Sequence, residues 1–281
     1  MPELPEVETI VRRLQPLVVG STIEQVEVRK EKSFQGSLDA VVGATMLSVE
    51  RRAKFIRLQL DNNYNLLVHL KMTGQLIYVS STTRVGGGHP TADWVDELPS
   101  KHTRVIISLS KSAQLFFNDQ RIFGWIKVMS DDEVRFIFDQ LGPDVIDASV
   151  TPDYLYEKLQ GRSIAIKQAI MDNSVMSGLG NIYACDALNR AKIHPARPAK
   201  SLSKPEVAEL LSQSKQVLEL GIKLGGATIE HFMHIDGFSG RYQDVTAVYG
   251  REGEACYNCG GTISKIKLGG RGTYLCEGCQ E

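Results

Sequence analysis

The sequence lacks the features that would send it into or across a membrane. No run of eighteen apolar residues occurs among its 281 residues, so we expect no transmembrane helix. The N-terminus has no positively charged segment followed by an apolar one, so a secretory signal is not expected either. We therefore predict a cytoplasmic protein with no membrane partner. Its 42% hydrophobic content is enough for two domains with their own cores.

The chain also has almost no net charge, with 32 Lys and Arg against 33 Asp and Glu. Such a balance alone disfavours nucleic-acid binding, but the distribution of charge matters more than its sum. Residues 51–75 hold five basic residues and one acid, and residues 161–225 hold nine basic residues against five acids. Residues 131–160 hold eight acids against two basic residues. This pattern suits one basic face and an acidic back, although a solvated acidic helix explains the middle segment equally well.

Cysteine is scarce, and four of the five cysteines share one C-terminal pattern. Cys256-x2-Cys259-x16-Cys276-x2-Cys279 has the spacing of a tetrahedral four-thiolate zinc site, with a hairpin between the two pairs. Disulfides are the weaker alternative in a chain without a secretory signal. Because the pattern leaves no open coordination position, we predict one structural Zn²⁺ and no organic cofactor. Cys185 is then a plain core thiol.

Short segments with alternating apolar residues dominate the first half of the chain. Each suits a half-buried strand, and together they predict a β-sandwich or flattened barrel. The predicted strands are Ser21–Lys30, Thr45–Arg51, Lys54–Leu60, Tyr64–Leu70, Gln75–Ser80, Thr103–Leu109, Gln114–Asn118 and Gly124–Met129. We interpret residues 61–63 as a turn and Gly86-Gly87-Gly88 as a mobile loop.

Helical patterns begin the chain and dominate its second half. The predicted helices are residues 7–16, 131–141, 154–159, 164–171, 181–190 and 204–224. Ser203 is the predicted N-cap of the last helix, with Pro205 in its first turn. Residues 226–245 are rich in Gly, His and Asp without a clear period, which predicts a long loop of the kind that often forms a functional lid.

The first eight residues carry a candidate catalytic group. If Met1 is removed, Pro2 becomes a secondary amine, which can attack an electrophilic carbon and form a Schiff base. Glu3 and Glu6 stand close by in sequence to give and take protons. A frayed terminus that happens to contain two prolines is the alternative, and this motif alone does not decide between them.

Two Gly-rich segments are candidates for phosphate binding. Residues 172–183 contain a turn after which Asn181 is predicted to cap a helix beginning at Ile182, and N–H groups at a helix start attract phosphate. Arg271 lies at the predicted tip of the zinc hairpin, residues 268–272, where glycines allow a close approach to a phosphate backbone. An ordinary helix hairpin and a solvated turn arginine are the alternatives.

Seven motifs in a fixed order give the chain a family resemblance. They are MPELPEVET at 1–9, HLKMTG at 69–74, DQRIFG at 119–124, GLGNIYACDAL at 178–188, IHP at 193–195, VYGREGEACYNCG at 248–260 and GGRGTYLCEGCQ at 269–280. Together they resemble the bacterial formamidopyrimidine-DNA glycosylase family over nearly the whole chain. The start PELPEVET is closer to this branch than to the related endonuclease VIII branch, which usually begins PEGPE.

The resemblance implies an α+β fold of two domains. These are an N-terminal β-sandwich with flanking helices and a C-terminal helix-two-turn-helix domain plus a β-hairpin zinc finger. The expected boundaries are 1–130 for the catalytic β-sandwich, 131–151 for a linker with an acidic helix, 152–225 for the DNA-binding helices, 226–245 for a lesion-capping loop and 246–281 for the zinc finger.

The resemblance also implies the catalytic roles. Pro2 would attack C1′ of a damaged nucleotide, displace the base and leave a Schiff base. Glu3 would protonate the opening sugar, and Glu6 would position the site more than react. Lys54 would grip the phosphate beside the lesion.

Further residues match DNA contacts of the family. They are His69, Lys71, Arg104, Lys167, Asn181 and Arg271. Because a base must leave the duplex to be reached, the family also fills the gap that it leaves, and Met72, Arg121 and Phe123 match those filling residues. Met and Phe can wedge between bases, and Arg can hydrogen-bond the orphaned partner. Gln120 and Ile122 depart from the Pro and Arg that the family often has there.

The implied function is DNA base excision repair by a monomer associated with the nucleoid. Its partner would be double-stranded DNA with oxidised purines (8-oxoguanine and formamidopyrimidines) or abasic sites, which are cut by β,δ-elimination. Two alternatives stay open. One is an endonuclease VIII-like enzyme for oxidised pyrimidines, and the other is a non-catalytic zinc-hairpin DNA-binding protein.

Overall fold

The computed structural model describes residues 2–89, 97–227 and 240–281. The chain divides into two compact units: Met1–Asp139 with Gly225–Gly240, and Gln140–Leu224 with Arg241–Glu281. Within the described ranges, no helix is both long enough and apolar enough to span a bilayer. Most of the predicted 226–245 loop lies outside the described residues, as does Met1.

The described part of the first unit contains two five-stranded sheets and two α-helices. Its elements are α1 (Leu4–Val18), β1 (Ile23–Val28), β2 (Phe34–Gln35), β3 (Met46–Arg52), β4 (Phe55–Leu60), β5 (Tyr64–His69), β6 (Gly74–Val79), β7 (Arg84–Gly88), β8 (Thr103–Leu109), β9 (Ala113–Asp119), β10 (Trp125–Ser130) and α2 (Asp131–Asp139). The strand orders are β1-β8-β9-β6-β7 and β2-β10-β5-β4-β3. Apart from the parallel β2–β10 pair, neighbouring strands of these sheets are antiparallel.

One hydrophobic core joins both sheets of this unit to helix α1. It contains Ile10 and Leu14 of the helix, Phe117 of one sheet, and Ile56 and Val68 of the other. The eight strands predicted from the alternating pattern are present, with ends shifted by a few residues. The prediction of an N-terminal sandwich of sheets is therefore confirmed.

The prediction of a mobile loop at Gly86-Gly87-Gly88 is wrong. These residues belong to strand β7, which pairs antiparallel with β6. A Cβ on Gly87 would lie 2.2 Å from Cγ1 of Ile10, and a Cβ on Gly88 would lie 2.3 Å from the carbonyl oxygen of Gly74. Glycine is therefore required here because the strand packs closely against its neighbours, and not because the chain needs to move.

Helix α1 begins three residues before its predicted start. Glu3 is its N-cap residue and Pro5 lies in its first turn. Because proline has no N–H and its φ is already helical, the first turn tolerates it at no cost. The Glu6 side chain accepts a hydrogen bond from the backbone N–H of Glu3 at 2.7 Å, as in a capping box. The start of the helix is thus fixed by the same carboxylate that the sequence marks as functional.

The second unit combines four helices with a C-terminal hairpin. Its elements are α3 (Pro152–Gln160), α4 (Ile166–Ile170), α5 (Asn181–Arg190), α6 (Lys204–Lys223), β11 (Ser264–Leu268) and β12 (Arg271–Leu275). Helix α6 packs against α3 and α5, and α5 also packs against β12. Ser203 caps α6 in a capping box with Glu206, which confirms the predicted start of that helix.

A buried carboxylate attaches the zinc hairpin segment to helix α5. Asp186 accepts hydrogen bonds from the hydroxyl of Tyr242 and from the backbone N–H groups of Ala247, Val248 and Tyr249, at 2.9–3.1 Å. Burial raises the pKa of Asp186, while these four donors lower it. The chain that leads into the hairpin is therefore held against the helix that carries Asn181 at its start.

Candidate active site and nucleic-acid interface

The N-terminal residues predicted to be catalytic are buried at the start of α1. Pro2, Glu3 and Glu6 all have little solvent exposure. Both oxygens of Glu6 are engaged: Oε2 accepts from the N–H of Glu3 and Oε1 from the N–H of Ala227, each at 2.7 Å. A Cβ on Gly226 would lie 2.8 Å from the Glu6 side chain, so only glycine allows this approach. Glu6 is thus a fixed clamp on the residue that follows Pro2.

Lys54 lies in the two-residue turn between β3 and β4 and is buried. Ala53, beside it, has φ +54°, a left-handed conformation that is uncommon outside glycine. Arg51 supports the turn, because its Nη1 donates to the Ala53 carbonyl at 3.1 Å and its Nε donates to Glu8 of α1 at 2.6 Å. The turn that carries Lys54 is therefore tied to the helix that begins with the Pro2 segment.

His69 ends strand β5 in an aromatic setting that keeps it neutral. Its ring lies 4.8 Å from the ring of Phe55, edge to face, and 5.9 Å from the ring of Trp125. Burial, reinforced by the positive charges of Lys71 and Lys54, lowers the pKa of His69 to about 3. Its Nδ1 accepts a hydrogen bond from the backbone N–H of Lys71 at 3.0 Å, so the ring proton is on Nε2. His69 is thus a neutral donor.

The three predicted gap-filling residues meet at the tips of two neighbouring turns. Met72 and Phe123 are 42% and 46% exposed, unusually high for large apolar side chains. Arg121 lies between them: its Nη1 is 3.2 Å from the Met72 sulfur, and its guanidinium carbon is 4.8 Å from the centre of the Phe123 ring. Lys32 adds a second cation, 5.8 Å from the same ring. The structure therefore presents two exposed apolar side chains with a cation between them.

The sequence did not identify the group that holds these turns. Asp119 is wholly buried at the end of β9, and its carboxylate accepts from the backbone of Arg121, Phe123 and Gly124 and from the Thr73 hydroxyl. An Asp at a strand end followed by a turn is a weak signal for such a role. The role of Asp119 could therefore have been suspected from the sequence, but its partner Thr73, 46 residues away, could not.

Arg104 and Lys71, both predicted to contact DNA, are half-buried. Nε of Arg104 donates to the Asp119 carbonyl at 2.8 Å, and Nη1 donates to the Lys101 carbonyl at 3.2 Å. Lys71 is half-buried with φ +52°, at the turn that carries Met72. Arg104 thus supports the 119–124 turn through a hydrogen bond from its side chain to the backbone carbonyl of Asp119.

In the second unit, Lys167 and Asn181 join helix α5 to the zinc hairpin. Lys167 is only 2% exposed, and its Nζ donates to Asn181 Oδ1 and to Thr273 Oγ1, each at 2.6 Å. Nδ2 of Asn181 donates to the Gly272 carbonyl at 3.1 Å. The prediction that Asn181 caps the helix is wrong, because Gly180 is the N-cap and the Asn181 side chain bonds to the hairpin instead. Lys167 is therefore held against Asn181 and Thr273, and its predicted contact with DNA stays a prediction.

Arg271 lies at the predicted hairpin tip, as the first residue of β12. Gly269 and Gly270 form the two-residue turn before it, both with positive φ, as a tight hairpin turn requires. The arginine is exposed and lines a cavity of about 190 Å³, whose walls are Lys167, Gln168, Met171, Leu268, Gly269 and Arg271. Its guanidinium is therefore accessible beside the buried Lys167 and the half-buried Asn181.

The four cysteines are arranged as a tetrahedral zinc site requires. Their sulfurs all lie within 4.8 Å of one another, with Cys256 to Cys279 at 3.7 Å and Cys259 to Cys276 at 3.5 Å. A Zn–S bond of about 2.3 Å implies sulfur separations of about 3.8 Å, so the set fits the metal. Cys185 is buried next to this cluster, and burial raises the pKa of its thiol to about 11, in keeping with a core residue.

Comparison with known proteins gives three matched segments. Residues 1–126 match the formamidopyrimidine-DNA glycosylase N-terminal domain, residues 141–233 the H2TH domain of the same enzyme, and residues 253–281 the zinc finger found in FPG and IleRS. The chain belongs to the formamidopyrimidine-DNA glycosylase family. The third segment contains all four cysteines, so the family site and the geometry agree on one structural zinc.

Relatives and solved structures match the family over the whole chain. The formamidopyrimidine-DNA glycosylase of Exiguobacterium sp. is 40% identical over 290 residues, with all of both chains covered. A Lactococcus lactis FPG mutant bound to Fapy-dG containing DNA has a TM-score of 0.88 at 30% identity, with both chains fully covered. The MutM (FPG) protein of Thermus thermophilus has a TM-score of 0.85 at 34% identity, covering 99% and 98%. The predicted α+β architecture with helix-two-turn-helix and zinc hairpin is confirmed.

Proposed function

We propose that this protein excises oxidised purines from double-stranded DNA and then cleaves the abasic strand. The observation that carries the proposal is the buried N-terminal turn, in which the Glu6 carboxylate holds the Glu3 N–H at 2.7 Å. A buried, clamped position beside two carboxylates is what a reacting amine at Pro2 requires, in contrast to the poorly ordered segment that a chain start usually forms. We expect the enzyme to act as a monomer in the cytoplasm, associated with the nucleoid.

The nucleophile in this proposal is the nitrogen of Pro2, freed by removal of Met1. As a secondary amine it attacks C1′ of the damaged nucleotide, and the bond from C1′ to the base breaks. The electron pair of that bond leaves with the base, which takes up the proton that the amine loses. The ring bond from C1′ to O4′ then opens, and Glu3 supplies the proton that O4′ takes up. The product is an iminium between Pro2 and the sugar. Glu6, with both oxygens already accepting hydrogen bonds, keeps this turn in place.

Strand cleavage follows from the same intermediate. The iminium acidifies the proton on C2′, and its loss expels the 3′ phosphate in a β-elimination. A second, δ-elimination expels the 5′ phosphate and leaves a gap. The groups available to move these protons are Glu3 and water. Abasic-site lyase activity is thus a consequence of an amine nucleophile, and does not need a second site.

In this proposal each unit, taken by itself, offers donors to a DNA backbone. In the first unit these are Lys54 and the Nε2–H of neutral His69, and in the second they are the helix start at Asn181 and Arg271. Because His69 is uncharged, its contribution is a directed hydrogen bond and not a counterion-releasing charge, whereas the cationic contacts make affinity fall with salt. The family's zinc hairpin, held by Cys256, Cys259, Cys276 and Cys279, presents Arg271 when the metal is bound.

Excision from duplexes with single lesions tests the proposal. The wild-type protein, purified with zinc and with Met1 removed, is given 8-oxoguanine and thymine glycol substrates under single-turnover conditions. We expect excision of 8-oxoguanine, slower excision in Pro2→Gly, whose N-terminal amine is primary, and loss of excision in Glu3→Gln. Activity should be retained in Glu24→Gln, which changes an exposed carboxylate on β1. Preference for thymine glycol would favour the endonuclease VIII-like alternative. Tight DNA binding without excision of either lesion would favour the non-catalytic one.

A further inference from the structure

The three gap-filling residues are on two separate turns, which raises the question of what keeps them together. Met72 is on the turn at residues 70–74, and Arg121 and Phe123 are on the turn at residues 119–124. The contacts between their side chains are a weak sulfur contact at 3.2 Å and an exposed cation–π pair. Contacts of that kind in water do not hold two turns in register. The support must come from beneath them.

The buried carboxylate of Asp119 is that support. Its Oδ2 accepts from the N–H groups of Phe123 at 2.8 Å and Gly124 at 2.6 Å, and its Oδ1 accepts from the N–H of Arg121 at 3.1 Å. The Thr73 hydroxyl donates to the same Oδ1, and its oxygen also accepts from the N–H of Arg121 at 3.0 Å. One side chain therefore fixes the backbone on both sides of residue 122, and Thr73 joins the second turn to it.

The backbone between these hydrogen bonds is strained. Ile122 has φ +57°, in the left-handed region that β-branched residues seldom occupy. Without its neighbours held in place, this residue would relax to negative φ, and that rotation would redirect the side chains of Arg121 and Phe123. The hydrogen bonds from Arg121 and Phe123 to Asp119 bracket Ile122 and oppose the rotation. Arg104 adds a bond to the Asp119 carbonyl at 2.8 Å.

We propose that Asp119 and Thr73 are a positioning pair that fixes the gap-filling residues in their DNA-inserting arrangement before DNA is bound. The pair touches neither the lesion nor the reacting atoms. The pair acts through Arg121, whose orientation decides how it hydrogen-bonds the unpaired base. It also acts through Met72 and Phe123, which insert between bases. This inference rests on the proposed function, because the gap exists only if the protein extrudes a nucleotide.

The experiment compares Thr73→Val with Thr73→Ser, which differ in the hydroxyl that joins the turns, and adds Asp119→Asn. Thr22→Val is the matched control, since it removes a hydroxyl bonded to Thr45 elsewhere in the same unit. Single-turnover excision of 8-oxoguanine is measured opposite dC and opposite dA, together with borohydride trapping on a preformed abasic site. Hydrogen exchange of the Phe123 and Gly124 amides is measured without DNA.

We expect Asp119→Asn to slow excision by about tenfold to a hundredfold, as expected for buried donors that lose their acceptor. In Thr73→Val the ratio of rates opposite dC and dA should move towards one, with trapping on the abasic site affected less. Thr73→Ser and Thr22→Val should retain the wild-type ratio. Exchange of the two amides should accelerate in Asp119→Asn.

Two results would overturn the inference. The first is an active wild-type protein whose Thr73→Val and Asp119→Asn variants, folded by their melting temperatures, retain both the rate and the opposite-base ratio. The second is amide exchange at Phe123 and Gly124 that is fast in the wild type or unchanged in Asp119→Asn. If the wild-type protein excises no lesion, the proposed function fails by itself, and the exchange measurement still decides whether Asp119 fixes the turn.

Discussion

Acidification should destabilise the wild-type protein through His69. In the folded state the ring is held neutral, with its pKa lowered to about 3 by burial and by Lys71 and Lys54. In the unfolded chain it takes up a proton below a pKa of about 6.5. The unfolded state therefore binds one more proton between these values, and stability falls as pH falls through that window. Above pH 7 the contribution is complete.

The size of the effect follows from the width of the window. Between pH 6.5 and pH 5.0 the unfolded histidine binds a proton that the folded state does not bind. Over these 1.5 pH units the free energy of unfolding falls by about 2 kcal/mol relative to pH 7.5. A His69→Gln variant has no such proton to gain. Its free energy of unfolding should therefore fall by about 2 kcal/mol less than that of the wild type between pH 7.5 and 5.0.

Urea unfolding at both pH values measures this difference, followed by tryptophan fluorescence, to which Trp125, 5.9 Å from the imidazole ring, contributes. His102→Gln, which removes another histidine from the same unit, is the control and should follow the wild type. Equal losses of stability in the wild type and in His69→Gln would refute the reasoning. The neutral-donor role of His69 would then have no support.

Three further predictions concern packing, metal and salt. Gly87→Ala should destabilise the protein by about 1–3 kcal/mol because its Cβ would meet Ile10 at 2.2 Å, and Ile10→Ala in the same chain should lessen that cost in urea unfolding. Chelation or Cys276→Ser should release one zinc per chain, measured by metal analysis, and weaken duplex binding through loss of the hairpin. Lys167→Met should lower affinity without changing its salt dependence, whereas Arg271→Gln should reduce the slope of log affinity against log salt by about one phosphate contact.

Each of these predictions has an outcome that would contradict it. Additive effects of Gly87→Ala and Ile10→Ala would mean that the close contact is not the reason for glycine. If the metal-free protein bound duplex DNA with unchanged affinity, the hairpin would not contribute to binding. The control variant Cys185→Ser should retain the metal. If the Lys167 and Arg271 variants had equal salt slopes, either both side chains or neither of them would contact phosphate.

The features predicted well are those that neighbouring residues decide. Alternation of apolar residues located eight strands, and the spacing of the cysteines located the zinc site, because both signals repeat over a few residues. The capping box at Ser203 is equally local, since its partner is Glu206. The strands and the cap could be predicted because their determinants lie within one strand or one turn, and the zinc site because each of its two Cys-x2-Cys pairs is local.

The errors have a common physical cause, which is contact between distant parts of the chain. Gly87 indicates mobility in sequence, yet its absent side chain makes room for Ile10 of α1. Asn181 is a good capping residue, but Lys167 and the Gly272 carbonyl of the hairpin take its side chain instead. Thr73, the side-chain partner of Asp119, is likewise remote in sequence. Local preference was overridden wherever a tertiary hydrogen bond or close approach competed with it.

The most direct test of the account is borohydride trapping on a duplex that contains 8-oxoguanine. The account predicts a covalent protein–DNA adduct, which peptide mass maps to an N-terminus beginning at Pro2. The Pro2→Gly variant, which has a primary amine in place of the secondary amine of proline, should give the adduct in lower yield. An adduct that maps to a lysine, or no adduct and no strand cleavage from a zinc-loaded protein without Met1, would contradict the proposal that the N-terminal proline is the nucleophile.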